Sequence, residues 1–370
     1  MKKLLFVGVY VCFSWFFLLS CTNQEDSKQI VTIDISEDII IPKTYVVSKC
    51  NNSLIIDGLA NETAWQNIQF TDDFVDIEGD KIPHFRTRVK MLWGQDNLYI
   101  YAELYEPHIW GDITERDQII YLNNDFEVFI DPSCNTHNYG EFEINALGTE
   151  WDLLLDKPYA VGGNPIFNWD INNLQTAVNV FGTINDFSDV DSMWTVEMAI
   201  PLHVLRELKI PPKYLPVDGE IWRINFSRVE WDYEIVDNKY LRKKVDGKLL
   251  PEYNWVWSPH YEINMHQPDK WGFIQFSDAE SQTDMSFEVD DKMYYQQVAY
   301  AAFRKVRFSK IEDLKNMTTN STKHIELKIS EDELITAIYT KTNFGFEITF
   351  ENDGVSYCIN EEGLLKISNE

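Results

Sequence analysis

The sequence predicts a mainly β protein in which an antiparallel β-sandwich is followed by a small α+β domain at the C-terminus. Short runs with period-two alternation fill residues 45–276, and such alternation is typical of half-buried strands. Helical patterns are missing from the same region, apart from a turn or two around residues 202–209, which argues against a doubly wound α/β fold. After Ser277 the composition changes, and one helical pattern is followed by further alternating runs.

Residues 1–21 predict a lipoprotein signal peptide. Lys2 and Lys3 supply positive charge, residues 4–19 form an apolar run, and Ser20 and Cys21 follow it directly. This order is typical of an export signal. Its end resembles a lipobox, so Cys21 is the predicted lipidation site. A plain signal peptide and a short anchor helix are the alternatives, although the run is shorter than the roughly 20 residues that span a bilayer.

The polar residues 22–43 are predicted to form a tether. They begin with TNQED at residues 22–26, which resembles the acidic segment that sends some lipoproteins of Bacteroidota-type bacteria to the cell surface. The predicted location is therefore the cell envelope, as an outer-membrane or cell-surface lipoprotein held to the membrane by its N-terminal lipid. A single lipid chain binds a membrane weakly, so the sequence favours a multiply acylated anchor.

The charge balance excludes one class of partner. The chain holds 60 Asp and Glu against 32 Lys and Arg, a formal net charge of -28. Phosphate backbones repel such a surface, so nucleic acid is not a predicted partner. Acidic residues can hold divalent cations, but solubility outside the cell explains the charge as well. Cys50, Cys134 and Cys358 are too widely spaced for a disulfide framework or a zinc site, and they allow at most one bridge.

The large domain is predicted to span residues 44–277. Its clearest alternating runs are RVKMLW, LYIYAEL, FEVFI and WTVEMAI, at residues 88–93, 98–104, 126–130 and 194–200. Many short strands at close spacing are typical of a sandwich. Residues 94–97 lie between two of these runs and contain the turn formers Asp96 and Asn97, which predicts a hairpin.

The rest of the chain divides into a linker and a second domain. The acidic and Ser-rich residues 278–291 predict the linker. Residues 292–370 predict a helix laid over a small antiparallel meander, because apolar side chains recur at helical spacing in residues 292–308 and alternating runs follow. The predicted strands lie at residues 325–329, 334–339, 344–350 and 355–359.

A series of motifs in the large domain resembles carbohydrate-binding module family 9. The series begins with IDG at residues 56–58 and Trp65, and it ends with Trp271-Gly272. Between them lie Trp93 with NLYI at residues 97–100, NDFEVFID at residues 124–131, WTVEMAIP at residues 194–201 and WRINF at residues 222–226. The resemblance covers residues 50–277. It implies a jelly-roll-like sandwich that binds poly- or oligosaccharide without catalysis. Such binding would serve the capture or the degradation of polysaccharide, with polysaccharide-degrading enzymes as possible partners.

The resemblance also implies a shallow slot in which two aromatic rings clamp a sugar. The C–H face of a pyranose lies flat on such a ring, and its hydroxyls pair with polar side chains. Tyr121 matches the position of one ring, and Glu127 matches a hydroxyl-binding carboxylate. No cofactor is required, although structural calcium is frequent in the family. Its candidate ligands here are Glu127, Asp131, Asn135, Glu141 and Glu143.

Two positions depart from the family pattern. Met265 takes the place of the second clamping Trp, and Glu143 takes the place of a binding Arg. Met stacks poorly on sugar, so a second ring has to come from elsewhere. The further candidate contacts are Trp110, Arg228, Trp257 and His266.

Two other functions remain as alternatives. They are a glycoside hydrolase acting on O-glycosyl bonds and a surface scaffold that binds protein partners. A hydrolase needs two carboxyl groups that face each other across the scissile bond. Glu141 and Glu143 are two apart on one predicted strand and point the same way, which favours a polar lining or a cation site. The sequence has no Gly-rich phosphate loop, Ser-His-Asp order or Cys-His metal spacing.

Overall fold

A computed structural model describes residues 30–209, 216–282 and 285–369. Its strands in chain order are β1 (Val31–Asp34), β2 (Thr44–Lys49), β3 (Val75–Asp76), β4 (Thr87–Trp93), β5 (Asn97–Tyr105), β6 (Asp125–Asp131), β7 (Tyr139–Asn145), β8 (Glu150–Leu155), β9 (Pro165–Ile166), β10 (Gln175–Phe181), β11 (Met193–Pro201), β12 (Ile221–Glu230), β13 (Tyr233–Val236), β14 (Lys239–Arg242), β15 (Lys244–Val245), β16 (Lys248–Leu249), β17 (Tyr253–Val256), β18 (Gly272–Ser277), β19 (Ser321–Lys328), β20 (Leu334–Lys341), β21 (Phe346–Asn352), β22 (Val355–Asn360) and β23 (Leu365–Asn369). Its α-helices are α1 (Thr63–Gln66), α2 (Leu202–Leu205), α3 (Asp291–Phe308) and α4 (Glu312–Lys315), and short 3₁₀ turns lie at Ile120–Leu122, Tyr159–Val161, Arg206–Leu208 and Pro268–Lys270.

The largest sheet curls into two facing layers, which confirms the predicted sandwich. Its strand order is β10-β11-β5-β4-β2-β18-β12-β6-β7-β8-β9, with β17 paired to the far end of β12 and β3 paired to β17. Neighbouring strands are antiparallel except at β2, which runs parallel to both β4 and β18 and joins the layers. The core between the layers combines Met91, Ile100 and Met198 from one layer with Phe126 and Phe226 from the other.

The alternation of β6 gives its layer two chemically different faces. Phe126 and Val128 are buried in the core between the layers, so Asp125 and Glu127 point to the opposite face. Strands β12, β7 and β8 follow the same alternation. Glu127 pairs with Ser227 of β12 and with Glu143 of β7, and Glu143 pairs with Trp151 of β8. The odd-numbered residues of these strands therefore share the outer face. This outer face carries the candidate site described below.

The C-terminal sheet has the order β1-β19-β20-β21-β22-β23, and α3 packs on it. The helix begins after Asp290, whose side chain accepts a hydrogen bond from the backbone N–H of Met293 at 2.8 Å. Val298, Ala299 and Ala302 are fully buried against the sheet, as their helical spacing predicts. The small α+β region at the C-terminus is therefore confirmed.

The tether prediction for residues 22–43 is wrong at residues 31–34. These residues form β1, which pairs in parallel with β19, and Ile33 is buried in the C-terminal core. A strand of four residues is too short to show a clear period in the sequence. Residues 1–29, with the signal peptide, Cys21 and the start of the tether, lie outside the described residues. Among the described residues, no helix has the length and apolar character to cross a membrane.

The sandwich and the C-terminal region share an interface within one compact unit, residues 31–370. Arg223 of β12 is fully buried, with its guanidinium 4.2 Å from the Phe273 ring and 5.5 Å from the Tyr300 ring of α3. Arg304 of α3 pairs with Asp269. The predicted linker runs along β2, since the Lys49 N–H donates to the carbonyl of residue 279 at 2.8 Å. Experiments on this protein are therefore best made with residues 22–370 rather than with the sandwich alone.

Candidate functional site

A cavity of about 320 Å³ lies on the outer face of β6, β7 and β8. It brings together four of the predicted site residues, Tyr121, Glu127, Glu143 and His266, and the departing position Met265. Its lining consists of Tyr121, Glu127, Phe129, Glu141, Glu143, Trp151, Leu153, Tyr159, Val229, Glu252, Asn254, Met265 and His266.

Strand register positions the polar floor of this cavity. Glu127 of β6 lies directly opposite Glu143 of β7, and Glu143 lies opposite Trp151 of β8. Glu141 lies opposite Phe129 one step along the strands. Like charges at directly opposite positions destabilise a sheet, so this row of carboxyl groups demands neutralisation by protons or by a cation.

Burial changes the acidity of the floor. Glu127, Glu141 and Glu143 are all buried, as is Asp125 beside them. Burial raises the pKa of Glu127 to about 7. Burial, and then the neighbouring carboxyl group of Glu127, raises the pKa values of Asp125, Glu141 and Glu143 well above their usual range. The floor can therefore donate as well as accept hydrogen bonds near neutral pH, which suits sugar hydroxyls.

Two tyrosines on 3₁₀ turns contribute aromatic surface. Tyr121 is 39% exposed, and its backbone N–H donates to Oε2 of Glu143 at 3.1 Å. Tyr159 is 44% exposed, and its ring packs edge-on against His266 with 4.5 Å between centroids. Burial lowers the pKa of His266 to about 4. The imidazole is therefore neutral at physiological pH and acts as a hydrogen-bonding and packing group.

Trp151 adds a third aromatic side chain to the cavity. Its ring stacks on Phe167 with 6.1 Å between centroids and 15° between planes. Phe167 is 60% exposed, so the two rings extend from the cavity to the surface. Trp151 and Tyr159, neither of which was a candidate from the sequence, therefore supply aromatic surface to the cavity that Met265 also lines.

A known family matches part of the sandwich. Residues 56–215 match the family described as carbohydrate family 9 binding domain-like. The resemblance inferred from the motifs is confirmed over these residues, here called the family-9-like region. No curated protein matches the chain.

Solved structures similar to this chain include a carbohydrate binding module family 9 from Caldicellulosiruptor kristjanssonii in complex with cellotriose. The two are 17% identical, the alignment covers 66% of this chain and 100% of that one, and the TM-score is 0.42. Another is a candidate carbohydrate-binding protein from Bacteroides uniformis ATCC 8492. It is 15% identical, with 64% of this chain and 100% of that one covered and a TM-score of 0.48.

Trp257 does not line the cavity, which corrects its assignment as the second sugar-stacking ring. It is 1% exposed and packs in the sandwich core against Tyr45 and Phe226, at centroid distances of 6.5 and 6.1 Å. A Cβ atom at Gly272 would collide with its ring. The glycine of the closing Trp271-Gly272 motif therefore makes room for Trp257.

Arg228 also lies away from the cavity, on the core face of β12. Its neighbour Ser227 is the cross-strand partner of Glu127, and alternation turns Arg228 to the opposite face. There it is fully buried and pairs with Glu106 at 2.5 Å and Glu230 at 2.8 Å. Arg228 therefore forms a buried ion-pair cluster and does not line the cavity, which corrects its assignment as a sugar contact.

Trp110 belongs to a different cavity, of about 390 Å³. Its ring is 4% exposed and stacks on Tyr240 of β14, with 6.1 Å between centroids and 11° between planes. Val229 and Trp231 complete this hydrophobic cluster. The loop after β5 thus places Trp110 against the hairpin of β13 and β14 rather than beside Tyr121.

Asp131 and Asn135, which the sequence offers as calcium ligands, make hydrogen bonds within their own loop. The carboxylate of Asp131 accepts the backbone N–H of Thr136 at 2.8 Å and that of Ser133 at 3.0 Å. The side chain of Asn135 accepts the N–H of His137 at 3.0 Å. A carboxylate group with ligand-like spacing occurs elsewhere, at Asp125, Glu127 and Glu143.

Proposed function

We propose that this protein binds poly- or oligosaccharide in the cavity lined by Tyr121, Glu127 and Glu143, without hydrolysing it. The observation that carries the proposal is the meeting of exposed aromatic rings and buried carboxyl groups in one cavity, next to strands of the family-9-like region. The rings offer flat surfaces for the C–H face of a sugar, and the carboxyl groups offer partners for its hydroxyls. The ligand class follows from this combination.

The carboxyl arrangement favours binding over hydrolysis. Glu127 and Glu143 are cross-strand partners on one face of one sheet, so both project from the same wall. A glycoside hydrolase places its acid and its base or nucleophile on either side of the scissile bond. No pair in this row is opposed in that way.

Tyr121→Ala should weaken sugar affinity about tenfold or more, because the stacked ring face contributes roughly 1 to 2 kcal/mol. A glycan array with residues 22–370 identifies the ligand, and titration calorimetry then measures the variant. Tyr121→Phe keeps the ring and should retain most of the affinity. Phe344→Ala removes a 90% exposed ring in the hairpin between β20 and β21 and serves as the matched control.

Unchanged affinity in a well-folded Tyr121→Ala protein would contradict the proposed slot. The same incubations should be assayed for new reducing ends. Turnover that Glu127→Gln or Glu143→Gln abolishes would instead establish a hydrolase.

We propose further that lipid on Cys21 holds the protein at the cell envelope, where captured polysaccharide is close to degrading enzymes. Cys21→Ser should move the protein from the membrane fraction to the soluble fraction, because the thioether to lipid cannot form. Labelled palmitate followed by fractionation measures both effects. Label entering the Cys21→Ser protein would contradict the anchor.

A further inference from the structure

The chain enters its compact unit at one end of the C-terminal sheet. β1 and β19 run parallel, so both strands begin at the same end, and Val31 pairs with Ile325 in the first half of β19. Ser321 begins β19 and pairs with Lys341, which in turn pairs with Phe346 at the start of β21. The starts of β1 and β19 and the turn between β20 and β21 therefore lie at one end of the sheet, here called the entry end.

A cavity of about 320 Å³ lies at the entry end, beside the last turn of α3. Four cations line it, against one carboxyl group, that of Glu361. The cations, here called the basic cluster, are Arg307, Lys310, Lys315 and Lys341. The first three are exposed and the fourth is half-buried. The whole chain has a net charge of -28, so this local excess of positive charge is opposite to that of the protein.

The protein supplies no counter-charge to the basic cluster. Among the described residues, none of the four side chains forms a salt bridge, whereas Lys305 and Lys328 of the same region pair with Asp38 at 2.9 Å and Asp34 at 3.2 Å. The cavity around Trp110 has two cations and two carboxyl groups in its lining, and the sugar cavity has no lysine or arginine. The basic cluster therefore favours an anionic ligand from outside the chain.

An exposed aromatic ring lies at the same end, in the turn between β20 and β21. Phe344 is 90% exposed. The hydroxyl group of Thr342 accepts the backbone N–H of Phe344 at 3.2 Å and that of Gly345 at 2.9 Å, and the Thr342 N–H donates to the Gly345 carbonyl at 3.1 Å. These bonds fix the turn, so an ordered hairpin presents the ring to solvent. Exposed aromatic and basic side chains side by side are typical of surfaces that lie at a bilayer interface.

The proposed lipid anchor brings a bilayer within reach of the entry end. Cys21 precedes Val31 by ten residues, which span at most about 36 Å in any conformation. A short link of this kind keeps the effective concentration of the bilayer high. Anionic headgroups attract the basic cluster and repel the acidic remainder of the surface. Because salt screens exposed charges that are more than about 8 Å apart, the remainder does not cancel the attraction.

We propose that the entry end docks on a bilayer that carries anionic phospholipid headgroups. The basic cluster lies over the phosphates, and the Phe344 ring enters the interface. Four cations and one ring bind a bilayer weakly and reversibly, so this surface orients the protein while lipid on Cys21 holds it. The inference rests on the proposed anchor for the supply of a bilayer. Binding of the unlipidated protein to vesicles does not require the anchor.

Vesicle flotation of residues 22–370 tests the docking surface without lipid on the protein. This chain contains the whole compact unit, residues 31–370. The vesicles are phosphatidylcholine, with or without roughly one-third phosphatidylglycerol. We expect binding to the anionic vesicles only at about 0.1 M salt, and loss of that binding at about 1 M salt. Lys310→Gln combined with Lys315→Gln should lower the partition coefficient about tenfold or more, because each cation near an anionic surface contributes about fivefold.

Two matched controls separate position from composition. Lys244→Gln combined with Lys248→Gln removes two exposed cations from β15 and β16, changes the net charge equally and should bind as the wild type does. Phe344→Ala should weaken vesicle binding about fivefold or more, because the ring no longer leaves water. Ile82→Ala removes a 91% exposed side chain elsewhere and should not weaken it. Melting curves verify that each variant is folded.

Absence of wild-type binding to anionic vesicles, or an equal loss in both double variants, overturns the docking surface and leaves the anchor and the sugar site intact. Binding of dextran sulfate that Lys310→Gln with Lys315→Gln abolishes, without vesicle binding, also overturns it and assigns the basic cluster to an acidic glycan. The array sugar should bind this double variant as it binds the wild type, and lost sugar affinity would place the cluster in the sugar site instead.

The lipidated form of the same double variant distinguishes docking from anchoring. With lipid on Cys21 it should stay in the membrane fraction, because the anchor is unchanged. Its release into the soluble fraction would support docking and contradict the anchor.

Discussion

Trp257→Ala should lower the free energy of unfolding by about 3–5 kcal/mol, the usual cost of removing a large aromatic side chain from a core. The indole is 1% exposed between Tyr45 and Phe226, and Gly272 packs directly on it. The Tyr45 hydroxyl donates to the Gln69 carbonyl at 2.7 Å, and Gly272 is paired with Ile224 in the sheet. Because both neighbours are held in this way, we expect most of the cavity to persist. Urea unfolding followed by far-UV circular dichroism measures the loss independently of the missing fluorophore.

Trp151→Ala provides the matched comparison, since Trp151 lines the cavity and is only half-buried. It should reduce sugar affinity with a smaller loss of stability. The opposite result would be full stability with lost sugar affinity in Trp257→Ala, and lost stability with full sugar affinity in Trp151→Ala. It would show that Trp257 contacts sugar and that Trp151 is the core residue.

Much of the fold followed from period-two alternation. The runs at residues 126–130 and 194–200 lie inside β6 and β11, and the hairpin at residues 94–97 joins β4 to β5. Each of these segments has one apolar face in the sandwich core, so burial imposed the pattern that the sequence displays. β1 was not predicted because a strand of four residues is too short to show period-two alternation. Its partner strand β19 is also nearly 300 residues away in the sequence, since Val31 pairs with Ile325.

The site was only partly predictable, because its members depend on register and on loops. The match to family motifs placed Tyr121 and Glu127, and both line the cavity. Trp151 reaches it only because β8 pairs with β7 so that Trp151 lies opposite Glu143, a register set by the turn between the strands. Tyr159 stands on a 3₁₀ turn with no periodic signal.

Strand parity would have excluded Arg228 from the site. Arg223 and Asn225 are odd-numbered and share the outer face of β12 with the partners of β6, whereas Arg228 is even-numbered and follows Phe226 into the core. An arginine there is unusual enough to need a partner on the same face. Glu230 is two residues after Arg228, so it lies on the same face of β12 and pairs with it. The alternation of the strand therefore also identifies Glu230 as the partner.

Arg228→Met should destabilise the protein by about 3–5 kcal/mol at neutral pH, because it leaves the buried carboxylates of Glu106 and Glu230 without their cation. The guanidinium also donates to the Tyr105 carbonyl at 2.9 Å and lies 5.1 Å from the Trp255 ring. Methionine can fill the volume but can supply none of these contacts. Chemical denaturation at several pH values measures the loss.

The loss should be smaller at pH 5 than at pH 8. Burial, and then the charge of Glu230, already raises the pKa of Glu106 well above its usual range, while Arg228 opposes that rise. Without Arg228 the folded protein takes up a proton that the unfolded chain, with its lower pKa, does not hold. Stability of the variant must therefore increase as pH falls from 8 toward the pKa of the unfolded carboxyl group.

Restoring charge balance should restore stability. Arg228→Met combined with Glu106→Gln and Glu230→Gln removes every buried charge of the cluster, and such replacements are often neutral or stabilising. Lys81→Met breaks an exposed ion pair with Glu78 and should change stability little at any pH. If Arg228→Met were instead as stable as the wild type but unable to bind sugar, Arg228 would belong to the binding site and the ion-pair cluster would be dispensable for folding.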